Sequence, residues 1–136
     1  MRTELDHLGI AVTSIAEALP CWTALGLVLE GVEEVASQGV RVAMLPIGGT
    51  RVELLEAIAP DSPIARHLER RGPGLHHLCL RVADVRQAMA RLAGEGFQLL
   101  TDEPQPGARG ALVCFVHPRS SGGVLIELSQ PGTAEP

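Results

Sequence analysis

Two histidines and two glutamates in this chain are residue types that bind divalent metal ions, and they occur in matched pairs. His7 lies in the segment LDHLGIAV, and His77 lies in LHHLCLRV, 70 residues further on. Glu53 lies in VELL, and Glu127 lies in IELS, 74 residues further on. Two imidazoles and two carboxylates form a mixed nitrogen and oxygen donor set suited to Co, Ni, Zn, Mn or Fe.

Each of these residues taken alone has an ordinary explanation. A single histidine in a strand is more often structural than a metal ligand, and a single glutamate near a strand end more often lies at a solvated edge. A carboxylate buried without a partner in an apolar strand is costly, however. Because all four residues recur together, the pattern favours one shared metal site. We predict that His67 lies on a solvated helix face, that His76 lies in the core or supports a ligand, and that His117 has a structural role.

An internal repeat supplies the elements that must position the four residues. The segment LDHLGIAVTSIAEALPCW, which starts at Leu5, aligns without a gap with LHHLCLRVADVRQAMARL, which starts at Leu75. Both segments predict a strand, a turn and a helix with apolar residues at helical spacing. Glycines follow each predicted helix at Gly26, Gly94 and Gly96.

The second halves of the repeat each predict a β-hairpin, in VRVAMLPIGGTRVELLEA and in GALVCFVHPRSSGGVLIELSQ. Between the copies, Asp61 or Ser62 can cap a helix that has Pro63 at its first position. We therefore predict an α+β fold made of two tandem βαβββ modules in one domain, 1–136. Module one covers about 3–58, and module two covers about 74–130. A linking helix at about 61–72 joins them.

Alternation along the strands separates the four residues from the predicted core. Successive strand side chains point to opposite faces. His7 therefore shares a face with the small residues Gly9 and Ala11, while the bulky aliphatic face packs under the helix. Glu53 and Glu127 likewise lie opposite the bulky residues of their strands. If the modules pair with pseudo-twofold symmetry, the four side chains converge.

Composition narrows the functional classes. The chain has 136 residues, 2% aromatic residues and a net charge of −5, which argues against nucleic-acid binding. No apolar run approaches the roughly 18 residues of a membrane span, so no membrane partner is expected. The charged N-terminal segment does not read as a signal peptide, and we expect a cytoplasmic protein. We predict that Cys21, Cys79 and Cys114 are reduced core thiols.

The chain resembles the vicinal-oxygen-chelate superfamily and, within it, the methylmalonyl-CoA epimerases, over nearly its whole length. The resemblance implies paired modules that form a cupped, barrel-like mixed sheet with helices outside, in a homodimer. It also implies the metal-ligand role for His7, Glu53, His77 and Glu127. The matching segments are DHLGIAV at 6–12, QGVRVAMLP at 38–46, VELLEAIAPDSPIARHLERRGPGLHHLCLRV at 52–82 and GARGALVCFVHPRSSGGVLIEL at 107–128.

The activity implied by the resemblance is the interconversion of (2R)- and (2S)-methylmalonyl-CoA, an acyl-CoA substrate. The implied cofactor is a divalent ion: Co²⁺ is expected first, with Ni²⁺, Mn²⁺ or Zn²⁺ as alternatives. One group must remove the α-proton and another must return one to the opposite face. We predict Glu127 and Glu53 for these roles. In similar enzymes a glutamate two residues after the valine of QGV acts as a base, but here Val42 occupies that position.

Two other activities remain open. A glyoxalase I-like lactoylglutathione lyase uses a His/Glu/His/Glu set on the same fold and also moves a proton next to a carbonyl. A metal-free module that binds a small molecule belongs to a different class, and such a protein should lack one or more ligands. All four predicted ligands are present in this chain, which weighs against the binding module.

Overall fold

A computed structural model describes residues 2–132 of the chain. The chain forms two compact units. The N-terminal unit is His7–His76, and the C-terminal unit contains His77 and the described residues after it, together with those before His7. Each unit carries one βαβββ module. Among the described residues, no helix is both long enough and apolar enough to span a bilayer.

The N-terminal unit contains a four-stranded sheet in the order β2-β3-β4-β1. β1 pairs with β4 in parallel, and the β2–β3 and β3–β4 pairs are antiparallel. The first three residues of β1 belong to the C-terminal unit. The elements are β1 (Glu4–Ala11), α1 (Ile15–Ala24), β2 (Gly31–Val35), β3 (Val40–Ile47), β4 (Thr50–Ala57) and α2 (Pro63–Arg71).

The C-terminal unit repeats this arrangement with the strand order β5-β8-β7-β6. β5 pairs with β8 in parallel, and the other two pairs are antiparallel. The first three residues of β5 belong to the N-terminal unit. The elements are β5 (Gly74–Arg81), α3 (Val85–Gly94), β6 (Gln105–Pro106), β7 (Leu112–Val116) and β8 (Ile126–Gln130). The two predicted βαβββ modules are confirmed.

Short polar side chains start all three helices. Ser14 accepts a hydrogen bond from the backbone N–H of Glu17, and Asp84 accepts one from Gln87 at the matching place in the repeat. Ser62 is the residue that caps α2, and Pro63 follows it as predicted. Each cap satisfies a backbone donor that has no partner within its helix.

The core of each unit is aliphatic and lies between the helix and one face of the sheet. The predicted core position is confirmed for Cys79 and Cys114 and is wrong for Cys21, which is exposed. The stripe of α1 that packs on the sheet leaves Cys21 pointing outward. The buried residues of these core clusters are Val12, Ile15, Ala43, Leu45, Val52 and Leu54 in one unit, and Val82, Val85, Ala88, Met89, Cys114 and Leu128 in the other.

The turn between β2 and β3 packs closely against the start of α2. Gly39 has a left-handed backbone, with φ +62°. A Cβ atom at this position would lie 2.9 Å from the Cβ of Ser62. The carbonyl of Gly39 also accepts a hydrogen bond of 2.9 Å from the backbone N–H of Ile58. Glycine is therefore required here both by the backbone conformation and by the space available.

Candidate metal centre

The N-terminal unit brings His7 and Glu53 together. β1 and β4 run side by side with Gly9 next to Glu53, and His7 lies two residues before Gly9 on the same face. The Nε2 atom of His7 lies 3.2 Å from the Oε1 atom of Glu53. The exposed fractions of the two residues are 5% and 3%. Two of the four predicted ligands, His7 and Glu53, are therefore in contact within this unit.

The C-terminal unit repeats this pair with His77 and Glu127. β5 and β8 run side by side with Cys79 next to Glu127, in the register that Gly9 and Glu53 have in the first unit. The Nε2 atom of His77 lies 3.0 Å from the Oε1 atom of Glu127. Both residues are 6% exposed. The repeat is thus preserved down to the two interacting atoms.

The spacing of these atoms can be tested against metal coordination. Imidazole nitrogen and carboxylate oxygen atoms lie about 2.1 Å from ions such as Zn²⁺. Two such ligands at right angles are about 3.0 Å apart, and at the tetrahedral angle about 3.4 Å apart. The measured separations of 3.2 Å and 3.0 Å match adjacent ligands of one ion. They also match an N–H···O hydrogen bond. Each pair therefore has the chemistry and spacing to bind a divalent ion.

The sequence prediction did not include Arg51, which contacts both predicted ligands of the N-terminal unit. Its Nε atom lies 2.7 Å from the Oε2 atom of Glu53, and its guanidinium lies 3.5 Å from the Nδ1 atom of His7. Its side chain is 15% exposed. Arg51 precedes Glu53 by two residues on β4, so strand alternation was the signal that could have identified it. Both oxygens of Glu53 are therefore engaged within this unit.

The C-terminal pair has different neighbours. The position that matches Arg51 is Leu125, two residues before Glu127. Phe115 lies opposite Glu127 across β7 and β8, and its ring contacts the His77 ring edge to face, with centroids 5.8 Å apart. Burial raises the pKa of the neighbouring Cys114 thiol to about 11, and the negative charge of Glu127 adds to this effect. Apolar groups therefore surround much of this pair.

A buried carboxylate that the sequence prediction did not single out is Asp6, which is 7% exposed. Within the C-terminal unit its Oδ1 atom lies 3.6 Å from the Nη1 atom of Arg81. Arg81 also lies 3.9 Å from the carboxylate of Glu4, so the arginine faces two acidic side chains. These contacts give Asp6 a charge partner, as a buried carboxylate requires.

The remaining histidines take structural positions. The Nδ1 atom of His117 accepts a hydrogen bond of 3.0 Å from the backbone N–H of Arg119, which confirms its predicted structural role. The rings of His67 and His76 meet edge to face with centroids 4.8 Å apart, and both residues are partly buried. Because of this contact, His67 is less exposed than the predicted solvated helix face implies. Burial lowers the pKa of His67, and the positive charge of Arg71 lowers it further.

Known proteins match this chain over most of its length. The model of the glyoxalase/bleomycin resistance protein/dioxygenase superfamily matches residues 6–115. An ethylmalonyl-CoA/methylmalonyl-CoA epimerase of Cereibacter sphaeroides is 36% identical over 133 residues, which are 96% of this chain and 99% of that protein.

Solved structures extend the likeness to three dimensions. A hypothetical protein of Bacillus halodurans is 45% identical, with a TM-score of 0.94 over 100% of both chains. A variant of Streptomyces coelicolor methylmalonyl-CoA epimerase in complex with 2-nitronate-propionyl-CoA is 34% identical, with a TM-score of 0.94 over 100% of this chain and 99% of that one. The predicted α+β fold class and the predicted relationship to these epimerases are confirmed. The chain belongs to the glyoxalase/bleomycin resistance protein/dioxygenase superfamily.

Proposed function

We propose that this protein is an epimerase that interconverts (2R)- and (2S)-methylmalonyl-CoA by 1,1-proton transfer. The observation that carries the proposal is the duplicated His–Glu pair, buried at equivalent strand positions with N–O separations of 3.2 Å and 3.0 Å. Relatives that carry an epimerase name align along nearly the whole chain, which gives the substrate class. An isomerase of the racemase and epimerase class is the activity that both lines of support favour.

The proposed metal ligands are His7, Glu53, His77 and Glu127, which together hold one divalent ion. Co²⁺ is the first candidate, and Ni²⁺, Mn²⁺ and Zn²⁺ also suit imidazole and carboxylate donors. When bound, the ion supplies positive charge that offsets the negative charge developing on the thioester oxygen. In the N-terminal unit, Arg51 holds Oε2 of Glu53, which leaves Oε1 on the side of His7 Nε2.

Epimerisation requires a proton-transfer group on each side of the α-carbon. We assign one side to Glu127, whose Oε1 atom lies 3.0 Å from His77 Nε2 and whose neighbour Phe115 lies opposite it on the adjacent strand. An ionised Glu127 takes the α-proton of one epimer, and its carboxylic acid form returns a proton to the intermediate of the other. The sequence predicts Glu53 for the opposite side, where Arg51 restricts its movement.

The decisive experiment compares two substrates with the purified, metal-loaded protein. We expect each epimer of methylmalonyl-CoA to exchange its α-proton in D₂O and to invert, as followed by NMR and chiral analysis. The hemithioacetal of methylglyoxal and glutathione should not be converted. Conversion of the hemithioacetal without inversion of methylmalonyl-CoA would instead establish the lyase.

Metal analysis separates an enzyme from a binding module. We expect the purified protein to retain close to one divalent ion per chain, and chelation followed by addition of Co²⁺ should remove and restore inversion. Full inversion by a protein stripped of metal would contradict the metal requirement. Tight binding of methylmalonyl-CoA with no exchange at any metal loading would indicate the module.

The resemblance also implies a homodimer, and the sequence favours a cytoplasmic location. We propose a homodimer, for which light scattering should give twice the chain mass of 14.4 kDa. A cytoplasmic location accords with the free thiols of Cys21, Cys79 and Cys114, since disulfides are rare in that compartment. Fractionation of the source cells tests the location.

A further inference from the structure

The face of the N-terminal sheet that carries the His–Glu pair also carries Glu33. β3 and β4 pair with Met44 opposite Glu53, and Val42 lies two residues from Met44 on the same face. β2 and β3 pair with Glu33 opposite Val42. Directly opposed residues of antiparallel strands point to the same side of the sheet. Glu33 therefore lies directly opposite Val42, the position where similar enzymes have a glutamate. Val42 is on the strand next to that of Glu53, and Glu33 is on the strand beyond it.

Contacts on the opposite face establish this orientation independently. Glu34 accepts a hydrogen bond of 2.8 Å from the guanidinium of Arg41. Arg41 donates another, of 2.7 Å, to Glu56, which in turn accepts one from the backbone N–H of Ile15 at the start of α1. Glu34 thus lies on the helix side of the sheet. Because neighbouring strand residues alternate, the side chain of Glu33 points to the other side.

The surroundings of Glu33 are partly shielded from water. Glu33 is partly buried, whereas Glu34 is exposed. Val42, its neighbour across the strands, is 2% exposed, and Val35, two residues along the same strand, is also buried. The side chain thus lies beside two buried valines. Val42 supplies no ionisable group at this place, so the nearest carboxylate to the position is that of Glu33.

Few groups on this face of the N-terminal unit can carry a proton. Among the described strand residues of that unit, the ionisable side chains on the face are His7, Glu33, Arg51 and Glu53. His7 and Glu53 form the proposed ligand pair, and the guanidinium of Arg51 remains protonated. Both oxygens of Glu53 are engaged, by His7 and by Arg51. Glu33 is the second carboxylate on this face.

The strand register also gives the distance between Glu33 and the proposed ligand pair. Glu33 and Glu53 are separated by two strand spacings of about 4.8 Å and by two residues of about 3.4 Å, so their Cα atoms are roughly 12 Å apart. An acyl-CoA bound between the two strands can therefore contact both residues.

We propose that Glu33 is the second proton-transfer residue, in place of a glutamate at position 42. This inference rests on the proposed epimerase function. The carboxylate of Glu33 takes the α-proton of one epimer: an O–H bond forms, the C–H bond breaks, and its electron pair enters the enolate. The carboxylic acid of Glu127 then gives its proton to the opposite face. The reverse reaction exchanges the roles, and one proton is shared by the two glutamates.

The test uses the metal-loaded protein and each epimer of methylmalonyl-CoA separately in D₂O. We expect Glu33→Gln to reduce inversion roughly 10²–10⁴-fold. One epimer should still exchange its α-proton through Glu127, but without inversion. The matched control Glu34→Gln should invert at the wild-type rate, and Glu33→Asp should retain more inversion than Glu33→Gln. Metal content and the urea unfolding curve of Glu33→Gln should equal those of the wild type.

Two results would overturn the inference while the proposed function stands. One is inversion by Glu33→Gln at the wild-type rate. The other is an equal loss of exchange from both epimers, because a one-sided base affects them differently. If the wild-type protein neither exchanges nor inverts methylmalonyl-CoA, the proposed function fails, and this inference fails with it.

Discussion

The His–Glu pair of the N-terminal unit and that of the C-terminal unit have nearly the same geometry but different neighbours. The N–O distances are 3.2 Å and 3.0 Å. In the N-terminal pair, Arg51 lies 2.7 Å from Glu53. In the C-terminal pair, Leu125 occupies the matching position in sequence, just before β8, and a Phe115 ring contacts the histidine.

The comparison distinguishes two properties of each pair: the distance between histidine and glutamate, which the two units share, and the charge near the glutamate, which differs. The parallel strand register, which both units retain, sets the distance between histidine and glutamate. The residue two positions before each glutamate sets its local charge. Arg51 offsets the charge of Glu53 and fixes its orientation, whereas Leu125 does neither for Glu127. We therefore expect all four residues to bind the ion and Glu127, rather than Glu53, to take part in proton transfer.

The largest expected effect is on the chemical step. Glu127→Gln should slow α-proton exchange roughly 10²–10⁴-fold, because it removes a proton-transfer carboxylate. Glu53→Gln, at saturating Co²⁺, should slow exchange less than about 10-fold, because an amide oxygen can still serve as a ligand. NMR of the α-proton in D₂O measures both variants. Equal losses in the two variants would break the functional comparison between the pairs.

A second change makes the N-terminal pair resemble the C-terminal one. Arg51→Leu leaves the carboxylate of Glu53 without its arginine in a site that is 3% exposed. The free energy of unfolding of the metal-free protein should fall by about 3 kcal/mol, as measured in urea. Adding Glu53→Gln should restore part of this loss, because the unpaired charge is removed. No loss in Arg51→Leu would mean that the ion pair does not stabilise the unit.

The turns that precede β3 and β7 allow the two units to be compared at uncharged positions. Gly39 and Gly110 both have left-handed backbones, with φ +62° and +72°. An added Cβ meets Ser62 at 2.9 Å in the first case and open space in the second. Gly39→Ala should therefore cost about 2 kcal/mol and Gly110→Ala about 1 kcal/mol of unfolding free energy. Equal costs would show that the contact with Ser62 relaxes freely.

The smallest expected effect is a difference in reactivity between the thiols of Cys114 and Cys21, which is measured without changing the sequence. Cys114, buried near Glu127, has a pKa raised to about 11, so it stays protonated and unreactive at pH 8. Cys21 is exposed on α1. Mass spectrometry after brief treatment with iodoacetamide at pH 8 should find Cys21 modified and Cys114 intact. Because the raised pKa favours the neutral thiol, reaction at Cys114 should increase only as the pH approaches 11.

The repeat made much of the fold predictable from sequence. Local signals sufficed for the order of the elements and for the cap at Ser62, because these depend on residues close in the chain. Strand alternation and equivalence between the copies selected the two histidines and two glutamates, but the contact of each histidine with the glutamate of its own unit depends on the parallel strand register. Cys21 was assigned wrongly because apolar neighbours in sequence do not say which side of a helix a residue occupies.

Arg51 and Glu33 could not be predicted in the same way. An arginine in TRVELL resembles a solvated strand residue until the carboxylate two positions later is known to be buried. The place of Glu33 depends on which residue of β2 lies opposite Val42. In GVEEV two adjacent glutamates are equivalent in type, and a shift of one residue in register would exchange their faces.

The pairing of Glu33 with Val42 has a consequence for how active sites of this superfamily are compared. A sheet is a two-dimensional array, and here residues 33 and 42, with eight residues between them in the chain, are immediate neighbours in space. A functional side chain can therefore be supplied by the opposite residue of the adjacent strand and still point into the same site. An alignment by chain position then shows the functional residue as missing. An alignment by location on the sheet shows it on the adjacent strand. Families built on paired sheets should be searched for such relocations before a member with an altered motif is judged inactive.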